Sequence, residues 1–233
     1  MATYNGERFI KEQLTSILSQ LQPEDEIIVS DDSSTDSTLD IISSFNDSRI
    51  KIFNNENTRG VNSNFENAIR HSNGDIIFLS DQDNVWAADK IKLCLKEIGT
   101  SDCVVHDCSI TDENLRIVNN SLFSTINARE GLLHNIFRNG FTGCCMCFRK
   151  ELINSILPIP SSKSYYYDQW IGLRAELKGK TKFIKTPLTK FRRHESNISS
   201  ASSVSHLSFF KKIHYRVLLV VNLFLFDYKQ SYK

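Results

Sequence analysis

Short apolar segments alternate with segments whose apolar residues recur every three or four positions, over the first hundred residues of the chain. The short segments are typical of buried strands, and the recurrence is typical of amphipathic helices. Strands are predicted at residues 26–30, 50–53, 75–80 and 103–105, and helices at about 5–22, 35–45, 61–73 and 91–98. This alternation predicts an α/β fold in which helices cover a mostly parallel sheet.

The second half of the chain is less regular. Strands are predicted at residues 141–148, 182–185 and 188–194, a helix at 168–178 and a helical tail from His206. Residues 196–208, with seven serines in thirteen positions, are predicted as a loop. We therefore expect one domain over residues 1–205, with halves 1–110 and 111–205, followed by a basic amphipathic helix at 206–233.

The formal net charge of +1 hides an uneven distribution of charge. Residues 1–177 contain 16 basic and 25 acidic side chains, a net charge of −9, whereas residues 178–233 contain 12 basic and 2 acidic ones, a net charge of +10. The balanced total argues against a nucleic-acid partner, because proteins that bind nucleic acids usually have a clear excess of lysine and arginine. With 40% hydrophobic and 24% charged residues, the chain has a globular composition, which excludes intrinsic disorder.

The cellular compartment is predicted from the cysteines and the apolar segments. Six cysteines are too sparse for a disulfide-stapled secreted scaffold and are expected to be reduced thiols. Residues 1–8 contain no apolar leader. The longest apolar run, Val217 to Phe226, has about half of the roughly 20 residues that a spanning helix needs. These features predict a cytoplasmic protein.

Acidic side chains follow two of the predicted strands. Asp31 and Asp32 come directly after one strand, and Asp81 and Asp83 follow another. Each pair alone is also typical of a solvated turn or a helix cap. In parallel sheets, however, ligands bind beyond the carboxyl ends of the strands, so the two pairs are expected near one another. Carboxylates in that position suit Mg²⁺ or Mn²⁺ bound to a diphosphate.

Two further segments in the second half contain residues suited to catalysis. Asp168 lies among tyrosines and a tryptophan, residues 165–170, where desolvation would raise its proton affinity as a general base requires. The alternative is a helix N-cap beside core aromatics. Arg193 and His194 end a predicted strand, where they would suit a diphosphate, although a lone histidine is more often structural.

Together these segments resemble the inverting nucleotide-sugar glycosyltransferases of family 2, which have the GT-A fold, and in particular the bacterial polysaccharide and O-antigen type. The matching segments follow the family's order over about residues 1–200: they are 1–6, 31–38, 57–64, 74–86, 167–170 and 191–197. The resemblance implies that residues 1–110 bind the nucleotide sugar and that residues 111–205 bind the acceptor and supply the catalytic base.

The resemblance also implies a role for individual residues. The roles are nucleotide binding for Ala2, Tyr4, Asp32 and Asp81, metal binding for Asp83 and His194, catalytic base for Asp168, and sugar or acceptor contact for Trp86, Trp170 and Arg193. The implied reaction is a single displacement that inverts the anomeric carbon of a UDP- or dTDP-sugar, assisted by Mn²⁺ or Mg²⁺. The implied acceptor is a hydroxyl of a saccharide or of a polyprenyl-linked saccharide.

Both ends of the chain raise further expectations. Family members have an apolar strand of about five residues before the segment that matches Ala2 to Tyr4, and losing it would cost on the order of 5–12 kcal/mol. The natural protein is therefore expected to begin upstream of Met1, or its start to be misassigned. The basic tail is expected to associate with the inner face of the cell membrane, or to pack on the core or on a second subunit.

Two rival functions remain open on the sequence. Residues 76–86 also resemble the nucleophile motif of haloacid-dehalogenase-type phosphatases, with Asp81 as nucleophile and Asp83 as acid. That family needs a later lysine and acidic pair, and nothing after Asp83 supplies the pair. The second rival is a sugar-nucleotide-binding protein without catalytic activity.

Overall fold

A computed structural model describes residues 1–161, 165–195 and 208–230. The strands are β1 (Ala2–Thr3), β2 (Ile27–Asp31), β3 (Ile50–Asn54), β4 (Ile76–Phe78), β5 (Val85–Trp86), β6 (Cys103–Thr111), β7 (Ile117–Asn119), β8 (Met146–Arg149) and β9 (Thr181–Arg192). The helices are α1 (Ile10–Leu18), α2 (Thr38–Ser44), α3 (Val61–His71), α4 (Lys90–Ile98), α5 (Leu122–Ile126), α6 (Leu132–Phe137), α7 (Ile153–Ile156), α8 (Tyr167–Lys178) and α9 (Phe209–Gln230). The predicted α/β alternation of the first hundred residues is confirmed. The predicted loop at 196–208 lies outside the described residues except for Ser208.

The first sheet is parallel, in the order β1-β2-β3. Its register places Ala2 opposite Ser30 and Ile27 opposite Ile50. Because the strands are parallel, the ends of β1, β2 and β3 lie at the same edge of this sheet. The residues that follow β2, beginning with Asp32, therefore lie beside those that follow β1.

The second sheet is mixed, in the order β4-β8-β6-β9-β5 with β7 on β6. Among its described strands only β6 and β9 pair in parallel, and helix α8 lies between them in the chain, as a parallel crossover requires. The predicted strand at 141–148 is shorter, because Gly143–Cys145 form a 3₁₀ turn before β8. The two strands predicted at 182–194 are one strand, β9, whose register with β6 shifts where Asp107 faces Pro187.

The main hydrophobic core lies where α3, α8 and α9 meet the second sheet. Trp170 of α8 is fully buried there, and α9 buries Leu219, Leu223 and Phe226 in the same cluster. Arg174 of α8 donates to the Leu223 carbonyl oxygen and pairs with Asp227. The predicted C-terminal helix is thus confirmed for residues 209–230, and one of its faces packs on the core. Within the described residues, no helix combines the length and apolar character needed to cross a bilayer.

A cavity of about 980 Å³ separates β2 from β4. Ile27 and Ile28 line it from one side, and Ile77 lines it from the other. Met1 and Ala2 close only its end: the Met1 nitrogen donates to the Ile28 carbonyl oxygen at 2.7 Å, and the Ala2 N–H donates to the Ser80 carbonyl oxygen at 3.3 Å.

Candidate active site

The acidic residues after β2 differ in what their carboxylates contact. Asp31 is fully buried and accepts hydrogen bonds from the Thr3 hydroxyl at 2.8 Å and from the Ser34 hydroxyl and N–H at 2.6 and 2.7 Å. Asp32 accepts from the Asn55 amide and from the Gly60 N–H, both at 2.9 Å. Asp31 therefore stabilises the turn after β2, whereas Asp32 lies on its far side, towards the start of α3.

Tyr4 and Gln82 join the loop after β1 to the loop after β4. The Tyr4 N–H donates to Gln82 Oε1 at 2.8 Å, and Gln82 Nε2 donates to the Tyr4 carbonyl oxygen at 2.9 Å. A Cβ on Gly6 would overlap the Gln82 amide, so a side chain at this position would displace Gln82 from its pairing with Tyr4. The Tyr4 side chain is half-exposed, as a surface that stacks on a base needs to be, and Ala2 is partly buried. This pairing places Asp81 and Asp83, on either side of Gln82, next to Ala2 and Tyr4, which are predicted to bind the nucleotide.

Asp83 and His194 come together from opposite ends of the chain. His194 Nε2 lies 3.0 Å from Asp83 Oδ2, and both side chains are largely buried. Between them, Arg192 donates from Nε to the Asp83 carbonyl oxygen at 2.9 Å, and its guanidinium lies over the Phe9 ring at 4.4 Å. The Phe9 ring also packs against His194, with ring centroids 4.7 Å apart. The pairing of β5 with β9 brings these residues together.

Asp81, which follows Ser80, lies close to the acidic side chains of Asp83 and Asp168. Burial, and after it the charge of Asp83, raise the pKa of Asp81 to about 7. The Tyr167 hydroxyl donates to Asp81 Oδ1 at 3.1 Å, and the charge of Asp168 raises the Asp81 pKa further. The structure thus brings Asp81, Asp83 and Asp168, predicted from separate segments, into one electrostatic environment.

Asp168 lies in the first turn of α8 and is partly buried. Burial raises the pKa of Asp168 to about 6, although backbone N–H groups of Gln169 and Gly143 donate to the carboxylate and oppose the shift. A carboxylate with this pKa is ionised at neutral pH and retains a high proton affinity. Both properties suit a general base.

Two of the residues predicted to contact the sugar or acceptor are core residues. Trp86 is buried in the cluster beneath α1, and its ring lies 4.0 Å from the Lys90 ammonium. Trp170 is wholly buried, and its indole N–H donates to the Ile156 carbonyl oxygen at 2.8 Å. Both predictions are corrected here, since buried rings of this kind present no face to a ligand. Arg193 remains a candidate, because it is only partly buried, next to His194.

The sequence did not single out Tyr167, Gly143 or Arg192 as individual contributors to the site. Tyr167 stacks on Phe65 with ring centroids 3.7 Å apart, which directs its hydroxyl towards Asp81. A Cβ on Gly143 would overlap the Tyr167 ring and hydroxyl, so any larger residue there would displace Tyr167. The available signal was position, since Tyr167 precedes Asp168 and Arg192 precedes Arg193 and His194.

The donor set suits a divalent cation bound together with a diphosphate. In the described part of the chain, no group of three histidine, cysteine or acidic side chains is placed to hold a metal ion alone. Asp83 and His194 nevertheless form an oxygen and nitrogen pair, and the raised Asp81 pKa marks an excess of negative charge beside it. Mg²⁺ and similar cations are commonly held by one or two protein ligands plus substrate phosphates, so the residues fit such a role.

An α/β domain with carboxylates and a histidine gathered at its strand ends belongs to the class of proteins that bind ligands at that edge. Residues 1–157 match the sequence pattern described as Glycosyl transferase family 2. The chain belongs to this family, and the resemblance seen in its motifs is confirmed.

Relatives and solved structures agree with the family. The chain is 28% identical over 204 residues to the Escherichia coli UDP-Glc:alpha-D-GlcNAc-diphosphoundecaprenol beta-1,3-glucosyltransferase WfgD, covering 86% of this chain and 78% of the relative. It is 42% identical over 112 residues to the Shigella flexneri dTDP-rhamnosyl transferase RfbG, covering 45% of this chain and 37% of the relative. The crystal structure of S. aureus TarS 1-349 in complex with UDP-GlcNAc superposes with a TM-score of 0.73 at 22% identity, covering 95% of this chain and 65% of that one.

These comparisons establish the GT-A fold and glycosyltransferase family membership, with relatives in polysaccharide synthesis. The chain spans just under two thirds of the length of the TarS chain and about a third of RfbG. The phosphatase interpretation of residues 76–86 finds no support in the family match, and Asp81 is best explained within the glycosyltransferase site.

Proposed function

We propose that the protein is an inverting glycosyltransferase. It transfers a hexose or deoxyhexose from a UDP- or dTDP-sugar to a hydroxyl of a glycan or lipid-linked saccharide in polysaccharide or O-antigen synthesis. The observation that carries this proposal is Asp168, a partly buried carboxylate whose pKa is raised to about 6, near Asp81 and Asp83, which follow β4. A single base near a diphosphate site is the arrangement that a one-step displacement needs.

The steps assigned to this chain's residues follow from their positions. Asp168 takes the proton from the acceptor hydroxyl, and that oxygen forms a bond to the anomeric carbon while the bond to the diphosphate oxygen breaks. Asp32, together with Tyr4 and Ala2, is assigned to the base of the donor, because Asp32 and Tyr4 follow adjacent parallel strands. The Tyr167 hydroxyl orients Asp81 towards the sugar or the diphosphate.

We assign a divalent cation, Mn²⁺ or Mg²⁺, to Asp83 and His194. When bound, it would neutralise the charge that develops on the departing nucleoside diphosphate. Support comes from the 3.0 Å approach of the two side chains and from solved GT-A relatives, such as the Pyrobaculum calidifontis mannosyltransferase in complex with GDP-Man and Mn2+.

The donor and the base are tested by one screen. Purified protein is incubated with UDP- and dTDP-sugars and Mn²⁺, and release of nucleoside diphosphate is measured with and without EDTA. We expect metal-dependent release from at least one donor, a large loss in Asp168→Asn, and no loss in Asp75→Asn, which changes an exposed carboxylate before β4. Full activity in Asp168→Asn contradicts the base assignment. Metal-dependent UDP binding without turnover supports the non-catalytic alternative.

We further propose that the outer face of α9 binds an anionic membrane surface as a peripheral anchor. Phe210 and Phe224 are 82% and 72% exposed, and Val217 between them is 54% exposed. Lys211 and Arg216 lie in the same half of the helix as Phe210, so cations flank the apolar face. Exposed aromatics beside cations are typical of helices that lie in the headgroup region.

Flotation with phosphatidylglycerol liposomes tests this assignment. Phe210→Ser/Phe224→Ser is expected to lose most of the wild-type flotation. Ile117→Ser/Val118→Ser is a matched control, because these residues are also exposed and apolar but lie on β7. Unchanged flotation of the α9 variant contradicts the membrane assignment. If the same variant instead lowers the molar mass measured by light scattering, the helix is a dimer interface.

A further inference from the structure

A groove of about 180 Å³ lies between α6 and α9, beside the start of α8. None of the described residues that line it is acidic. Its polar and aromatic lining includes Phe137, Tyr165, Gln169, Lys212, Tyr215 and Arg216. The groove therefore contains two cationic side chains and three aromatic rings, although the neighbouring site is strongly acidic.

The two cations lie one helical turn apart on α9, and both line the groove. Arg216 donates from Nη2 to the Phe137 carbonyl oxygen at 2.8 Å, and its guanidinium lies 5.5 Å from the centre of the Phe137 ring. Residues at i and i+4 share one face of a helix, so Lys212 lies on the same side as Arg216. At the other end of α9, Asp227 pairs with Arg174 and Lys178 at 2.7 and 2.9 Å, which leaves it engaged away from the groove.

The groove begins one residue from the assigned base. Gln169, which lines it, follows Asp168 in the first turn of α8, and its amide donates to the Asn135 carbonyl oxygen at 3.2 Å. An acceptor that reaches Asp168 also approaches Asp81 and Asp83. An anionic acceptor is therefore repelled by the site unless separate cations bind its charge.

We propose that the α6–α9 groove binds the diphosphate of a lipid-linked saccharide acceptor, through Lys212 and Arg216. The aromatic rings contact the adjoining sugar or the first isoprene unit, and the outer face of α9 lies alongside the lipid chain. The proposal rests on the function proposed above, since it gives the acceptor of that reaction its anionic group. Both cations belong to residues 178–233, whose net charge is +10, so the basic end of the chain supplies the positive charge that the acidic first 177 residues, at −9, lack.

The test measures binding of geranyl diphosphate to the full chain by calorimetry, in EDTA so that no cation at Asp83 holds the diphosphate. Because hydrogen bonds to charged groups are strong, Lys212→Ala/Arg216→Ala is expected to raise the Kd about tenfold or more. Lys211→Ala, one residue outside the groove, is expected to change the Kd less than about twofold. Arg216→Lys keeps the charge and is expected to retain most of the affinity.

Two results overturn the groove assignment: equal binding by the double variant and the wild type, or geraniol binding as tightly as geranyl diphosphate. The double variant's circular dichroism spectrum is recorded alongside, and Arg216→Lys provides a folded comparison that differs only in the groove. Donor hydrolysis by the wild type is measured in parallel. Hydrolysis without geranyl diphosphate binding contradicts the groove alone, whereas absent hydrolysis with every donor contradicts the proposed function.

Discussion

Replacing Asp168 by asparagine is expected to make the protein more stable at neutral pH while removing the carboxylate that we propose as the catalytic base. Burial raises the pKa of Asp168 from 3.8 to about 6 in the folded state. A pKa difference of one between the folded and unfolded states corresponds to about 1.4 kcal/mol, so an ionised Asp168 costs the folded state about 3 kcal/mol at pH 7. Asparagine has nearly the same shape and no charge, and it removes that cost.

The sign of the pH dependence follows from proton binding. Between the unfolded and folded pKa values, the folded state binds more protons than the unfolded chain, so this group makes stability fall as the pH rises from about 4 to about 6. Above pH 6 to 7 its cost is constant. By the same relation, the destabilisation that Asp168 causes increases by about 2 kcal/mol between pH 4.5 and pH 7.

Urea unfolding of wild type and Asp168→Asn at pH 4.5 and pH 7, both in EDTA, measures the effect. From pH 4.5 to pH 7, the unfolding free energy of the variant minus that of the wild type is expected to rise by about 2 kcal/mol. Taking this difference of differences cancels any fixed change in hydrogen bonding to Gly143 and Gln169. Asp75→Asn is expected to show no such change, because Asp75 is exposed. A variant that gains nothing at pH 7 refutes the desolvation argument for Asp168.

Two further predictions follow from packing. Gly143→Ala is expected to lower stability by about 1–3 kcal/mol and to reduce turnover, because its Cβ displaces Tyr167; unfolding and turnover equal to wild type would contradict this. Lys90→Met removes a buried ammonium that donates to the Cys144 carbonyl oxygen at 2.7 Å, and urea unfolding is expected to show a loss of stability of about 1–3 kcal/mol. Lys92→Met, which changes an exposed lysine, is expected to change the stability by no more than about 0.5 kcal/mol.

Local patterns predicted the elements that hold the site but not the contacts across it. The apolar strand before Asp81 was sufficient to place that carboxylate at a sheet edge, because a strand fixes where its last residues point. The contact between Asp83 and His194 spans 111 residues, and it depends on β5 pairing with β9, which no local pattern specifies. The antiparallel pairs of the second sheet escaped prediction for the same reason.

The two tryptophans illustrate a second limit. Both Trp86 and Trp170 lie within three residues of an acidic site residue, in segments whose family resemblance was the reason for assigning them to the ligand. In strand β5 successive side chains point to opposite faces, so the position next to a site residue is as readily a core position. Trp170 lies two residues after Asp168 on α8, about half a turn around the helix, and faces the core.

The hydrogen bonds made by each carboxylate separate structural acids from catalytic ones, which the sequence could not do. Asp36 is partly buried, but hydrogen bonds from the Thr38 hydroxyl and from the Glu7 and Thr38 N–H groups lower its pKa. Asp31 is likewise surrounded by donors from Thr3 and Ser34. Asp81 and Asp168 have raised pKa values instead, and burial is the first cause of both shifts. Buried negative charge of this kind is what a cation or an acceptor proton would neutralise, so we propose that these two residues, rather than the larger acidic cluster after β2, lie where the reaction takes place.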